Sequence, residues 1–192
     1  MIAIAVVCNL SRQAHPTVYI QLPLCRCQEV FLNNMRLGEN IAKNAALREN
    51  AFMMAICIEL RIPLFVVGKP GSSKSLAKSI IQESMKGKAS RNTLMKCFKE
   101  VDMFSYQCSQ LSTSESVIEV FKTAKKFQQK QDTSKYVAVV VLDEVGLAED
   151  SPNLPLKALH PLLEDGTAGG GDEGKQNFQD KVNFVIPSNF MF

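Results

Sequence analysis

The sequence predicts an α/β fold with a mostly parallel sheet, and three observations carry that expectation. Short apolar runs, Leu64-Phe65-Val66-Val67 and Tyr136-Val137-Ala138-Val139-Val140-Val141-Leu142, alternate with stretches of helical periodicity. The second run lacks the in–out alternation of a strand with one wet face, so it reads as a strand covered on both sides. A small-residue loop, Gly68-Lys69-Pro70-Gly71-Ser72-Ser73-Lys74-Ser75, joins the first run to a helical stretch. That is the context a phosphate-binding loop needs: a buried strand to aim it and a helix N-terminus behind it.

The elements follow in order. Residues 1–37 read as an N-terminal linker or a remnant of a preceding region, because Pro16, Pro23 and Arg26 break any long periodicity. Residues 38–192 are expected to form the domain. A helix is expected from Ile41 to Leu60, with Leu47, Phe52, Met53, Ile56, Cys57 and Leu60 on a broad apolar face and Pro63 beyond its end. Behind the loop, Leu76, Ala77, Ile80, Ile81 and Met85 share one helical face, with Gly87 available to stop it. Met103–Gln107 reads as a strand, and Ser112 with Glu115 as a capping box opening a helix that carries Val117, Ile118, Phe121 and Ala124. Pro155 suits the first turn of a short helix with Leu156, Leu159, Leu162 and Leu163. Residues 165–174 are glycine-rich and polar, hence a loop or hairpin, and 182–186 give a last strand ending in Ser188-Asn189.

Composition narrows the classes. The 192 residues suit one domain or most of one, and 46% hydrophobic content is enough for a core. A net charge of +3 without a basic block gives no support for nucleic-acid binding. Lys122, Lys125, Lys126 and Lys130 read as the solvated face of a helix. The six cysteines contain no C-x-x-C pair, which points to free thiols in a reducing compartment rather than a zinc site. The apolar stretch of residues 1–7 is too short to span a bilayer and lacks the basic flank of a signal peptide, so no transmembrane segment is expected and the cytoplasm is the default.

The chemistry concentrates in two motifs. In the loop, backbone N–H groups would face the phosphates, Lys74 would bring a point charge to the outer ones, and the Ser75 hydroxyl would ligate Mg²⁺. Ser73 stands where G-x-x-x-x-G-K-[ST] has its second glycine; it is expected to take the helical entry geometry, its Cβ narrowing the approach. At the end of the second strand, Asp143 is placed for the Mg²⁺ shell and Glu144 to polarise a water for attack on the γ-phosphate. A solvated loop is the plainer reading of Asp143-Glu144 alone, but not beside a phosphate loop upstream. His160 reads as a packing or capping residue, Ile41 and Ala42 as core with adenine contact as the alternative, and Gln107 and Ser109 as strand-end residues near the nucleotide edge.

The wider strings go beyond a generic phosphate loop. Residues 57–65 leading into Gly68–Ser75 and Leu76-Ala77-Lys78, together with residues 142–152 and 159–164, resemble the mysterin family. These are giant ring-finger E3 ubiquitin ligases with a dynein-like row of AAA+ modules. The resemblance covers roughly residues 38–189 and includes the Ser72-Ser73 pair before the lysine. It implies a three-layer AAA+ sheet, ATP and Mg²⁺ as ligands, and Asn189 as the sensor 1 residue that helps orient the attacking water. It also implies neighbouring AAA+ modules and the ubiquitination machinery as partners of the parent, in the cytosol and on lipid droplets. The family order 5-1-4-3-2 predicts that, with the sequence stopping after the sensor 1 strand and before the lid, Leu64–Val67 lies at an open sheet edge. ATP hydrolysis driving conformational change is the leading expectation. A structural ATP clamp without turnover is the alternative, since the resemblance implies that the arginine finger and sensor 2 lie beyond these residues and that the 192 residues alone are close to catalytically silent; a small-acceptor kinase is disfavoured because Asp143-Glu144 supplies a water-activating pair.

Overall fold

Both apolar runs form the strands they predict, and they lie in one parallel sheet with helices on its two faces. The computed structural model describes residues 5–8, 18–149, 151–158 and 183–188. In chain order its elements are β1 (Ala5–Cys8), α1 (Val18–Asn33), α2 (Ala45–Leu60), β2 (Leu64–Val67) and α3 (Lys74–Ser84). They continue with β3 (Glu100–Gln107), α4 (Ser114–Lys130), β4 (Tyr136–Asp143), α5 (Val145–Glu149) and β5 (Asn183–Ser188). The strand order is β1-β2-β5-β4-β3, every described pair parallel.

Four of these strands reproduce the 1-4-3-2 part of the order that the AAA+ resemblance implies, with β2, β5, β4 and β3 in those places. The expected open edge is not there. β1 pairs with β2 from Ala5↔Leu64 to Cys8↔Val67, so the outer edge of the phosphate-loop strand is covered by the N-terminal segment. The physical reason is that an apolar strand edge binds any extended backbone that reaches it, and four residues suffice here. Prolines also interrupt less than expected: α1 runs through Pro23. Pro187 sits in β5 opposite Val66, beyond the β4–β5 ladder that ends at Val185, where a missing N–H is tolerated.

β4 explains the layers. Val137, Val139 and Val141 enter a core with Leu64, Val66 and residues of α1, α2 and α3, among them Phe31, Leu47, Met54 and Ile81. Ala138, Val140 and Leu142 enter a second core on the other face with Val117, Phe121 and Ala124 of α4 and Val145 and Ala148 of α5. Period-two alternation therefore serves two dry faces. Phe31 anchors α1 to the main core by edge-on contacts with Phe52 and Phe98, ring centroids 5.6 and 5.4 Å apart.

Several boundaries shift for local reasons. α2 starts at Ala45 rather than Ile41, because the Asn44 side chain accepts the Leu47 N–H and caps it. α4 is capped by Thr113, which accepts from Ser116 N, and not by Ser112. Ser112 is instead buried, accepting from Ser109 N at 2.9 Å and meeting Tyr106 Oη at 3.1 Å. Gly87 takes a positive φ of 52° just past α3, where an added Cβ would stand 3.4 Å from the Glu100 backbone nitrogen. After Pro155 the chain makes a short 3₁₀ turn, Pro155–Ala158; Leu159, His160, Leu162, Leu163 and residues 165–174 lie outside the described residues. The lysine face holds: Lys122, Lys126 and Lys130 are exposed and Lys125 is half-buried.

Candidate functional site

The loop leaves the C-terminal end of β2 and runs into α3, which packs in the core shared with α1 and α2. Gly71 has φ 79° and open space where a Cβ would stand, so backbone geometry and not crowding demands glycine there. Ser73 departs from expectation: it is left-handed, φ 58° and ψ 22°, not in helical entry geometry. An L-residue there costs about 1 kcal/mol or more, which is why the usual motif has glycine. Its hydroxyl accepts from Asn44 Nδ2 at 3.3 Å, a local compensation.

Lys74 is the first residue of α3 and only 6% exposed. Its Nζ donates to the Gly68 carbonyl at 2.7 Å, the Lys69 carbonyl at 2.9 Å and Ser72 Oγ at 3.0 Å. Burial lowers its pKa, since desolvation disfavours the ammonium and the oxygens around it are neutral. The loop thus curls around a cation that lacks a counter-charge among these three partners. The loop is braced from α2: Asn50, fully buried, donates from Nδ2 to the Ser72 carbonyl at 2.9 Å.

Asp143 ends β4, and its Oδ2 takes the Lys78 ammonium at 2.5 Å, the two side chains 16% and 19% exposed. The Asp143 carbonyl also accepts the Cys108 N–H at 2.9 Å. The Cys108 thiol is pushed up to about 11, first by burial and then by the Asp143 charge. Glu144 is exposed and has φ 55°; its carbonyl accepts Leu147 N–H and opens α5. Backbone strain of this kind persists where the surroundings over-determine it, commonly at functional positions. Ser75, the second residue of α3, is exposed. β5 ends at Ser188, in register with Val67, which brings the end of that strand beside the start of the loop; Asn189 itself lies outside the described residues.

The donor set suits a magnesium nucleotide. Among the described residues the Lys74 ammonium is bonded to neutral loop oxygens, a setting that suits an anionic phosphate, and the Ser75 hydroxyl and Asp143 carboxylate are hard oxygens of the kind that could hold Mg²⁺. Two cavities, of about 350 and 390 Å³, open instead at the far end of the strands, lined by Arg36, Ser84 and Lys86 and by Lys88, Phe98 and Tyr136. They share no residue with the phosphate loop. Three residues of the site escape motif reading: Asn44, Asn50 and Lys78. Asn50 leaves a trace, as a polar residue on the apolar face of Leu47, Ala51 and Met54. Lys78 leaves another, one helical turn after Lys74.

A family model described as "RNF213 AAA domain" matches residues 40–192. The chain is 60% identical over 163 residues to E3 ubiquitin-protein ligase RNF213 of Mus musculus, covering 85% of this chain. It is 53% identical over 167 residues to the Homo sapiens protein of that name, covering 87%. The chain spans about 3% of the length of these relatives. Among solved structures, the ORC2 protein of Aeropyrum pernix, in ADPNP and ADP complexes, superposes with a TM-score of 0.51 at 13% identity. That likeness covers 79% of this chain and 43% of the other, and it shows a shared fold. With the α/β sheet order and the phosphate loop of the AAA+ type in place, the chain belongs to the RNF213 AAA domain family.

Proposed function

We propose that this chain is an ATP-binding and ATP-hydrolysing AAA+ module that drives conformational change in a mysterin-type E3 ubiquitin-protein ligase. The observation that carries the reading is the Lys74 ammonium, buried under the loop and bonded to three of its neutral oxygens. A cation kept in that setting is preorganised for anionic phosphate. The loop from Gly68 to Ser75, through Lys69, Pro70, Gly71, Ser72 and Ser73, wraps the phosphates with its backbone. Ser75 and Asp143 would hold Mg²⁺, which when bound would neutralise phosphate charge. Glu144 accepts a proton from the attacking water, and Asn189 orients that water.

We assign residues 38–192 to the module, with 1–37 as a preceding region whose β1 and α1 pack onto it. Neighbouring AAA+ modules and the ubiquitination machinery of a cytosolic parent, also at lipid droplets, are the partners this reading implies. Among the described residues no helix is long and apolar enough to cross a membrane. The test is Glu144→Gln in a longer stretch of the parent protein, since turnover by the 192 residues alone is expected to be slight. Nucleotide binding should survive while turnover falls by about 10²-fold or more, the scale of a lost general base. Hydrolysis at the parental rate would reassign Glu144, and binding without turnover in the parental chain would favour a structural clamp.

A further inference from the structure

Lys78 is not part of the phosphate-loop pattern, yet it makes the closest contact of the candidate metal ligand. Lys74 and Lys78 sit four residues apart on α3 and so share one face of it. They divide the site between them. Lys74 serves the loop oxygens, whereas Lys78 Nζ meets Asp143 Oδ2 at 2.5 Å in a pair less than one-fifth exposed. A carboxylate oxygen paired with an ammonium is not free for a metal shell. A divalent ion brought beside an ammonium in a partly dry site is also repelled.

We propose that Lys78 is a positioning residue that holds the Asp143 carboxylate while no metal is bound and must withdraw from Oδ2 before that oxygen enters a Mg²⁺ shell. Lys78 is thus a built-in competitor for the metal. It keeps the aspartate from splaying into solvent, and it raises the concentration of Mg²⁺ needed to fill the site. This inference rests on the assignment of Asp143 to the Mg²⁺ shell.

The test is a Mg²⁺ titration of the 192-residue chain at fixed fluorescent ADP, reading the metal concentration at half-maximal nucleotide retention. Lys78→Met keeps a long unbranched side chain and removes the charge. It should lower that midpoint about tenfold, the scale of one charged hydrogen bond. Lys78→Arg, which keeps the charge, should return it to the parental value. Asp143→Asn should raise the midpoint, and adding Lys78→Met to it should change nothing further. A parental midpoint for Lys78→Met, with Asp143→Asn still raising it, overturns the proposal and leaves the metal assignment standing. No response to Asp143→Asn overturns both. Far-UV circular dichroism checks that each variant is folded, and Lys78→Gln replaces Lys78→Met if that variant is not.

Discussion

Asn50→Ala probes how the phosphate loop is held. Asn50 is fully buried on α2 and donates from Nδ2 to the Ser72 carbonyl at 2.9 Å. Removing a neutral hydrogen bond of this kind loses a net of about 1 kcal/mol. Truncating the side chain in a close-packed site leaves a small void that adds roughly 1 kcal/mol. Ser72 is half-buried, so water can reach its carbonyl and the penalty for an orphaned acceptor stays small. The expected loss is therefore about 2 kcal/mol of stability. Asn50→Asp keeps the volume but sets a carboxylate against a carbonyl, and should lose about 3 kcal/mol or more. Urea unfolding measures both as a shift in midpoint at unchanged slope. A loss below about 0.5 kcal/mol for the alanine variant, or an aspartate variant no worse than alanine, would refute the bracing account.

Two further outcomes follow from edges and thiols. Deleting residues 1–9 strips β1 from β2 and unpairs one side of Leu64–Val67, so light scattering should show association where the parental chain shows less; a variant that associates no more than its parent contradicts the edge-covering role. Cys108, pushed up to about 11, and Cys57, raised by burial, stay protonated thiols at about pH 8, and the thiolate is the reactive form. Site-resolved mass spectrometry after brief iodoacetamide treatment should find exposed Cys27 and Cys97 labelled and these two spared, and rapid labelling of Cys108 would mean that its strand end opens readily.

What the sequence makes legible is local and strongly patterned. β4 announces itself by seven apolar residues in a row, and the phosphate loop by its small residues between a strand and a helix. β1 is hidden because four residues, Ala5–Cys8, acquire their role only from pairing with the distant Leu64–Val67. Such non-local partners leave no periodicity to read. Ser112 and Thr113 are both good N-caps, and only the buried contacts of Ser112 with Ser109 and Tyr106 hand the cap to Thr113. Ser73 reads as a helix-entry serine because the sequence records the residue and not its φ of 58°. In the site, Lys74, Ser75, Asp143 and Glu144 follow from motif chemistry. Lys78 and Asn50 do not, because a lysine or asparagine on a helix is ordinary until its partner across the fold is known.

Calorimetric titration of ATP·Mg²⁺ into the parental chain and into Lys74→Ala measures whether Lys74 under its loop anchors the phosphates of an ATP site. The parent should show a single site and the variant a loss of affinity of at least about tenfold, up to about a hundredfold, the range of a charged hydrogen bond. Equal affinity in the two proteins, or no binding to a folded parent, would contradict it.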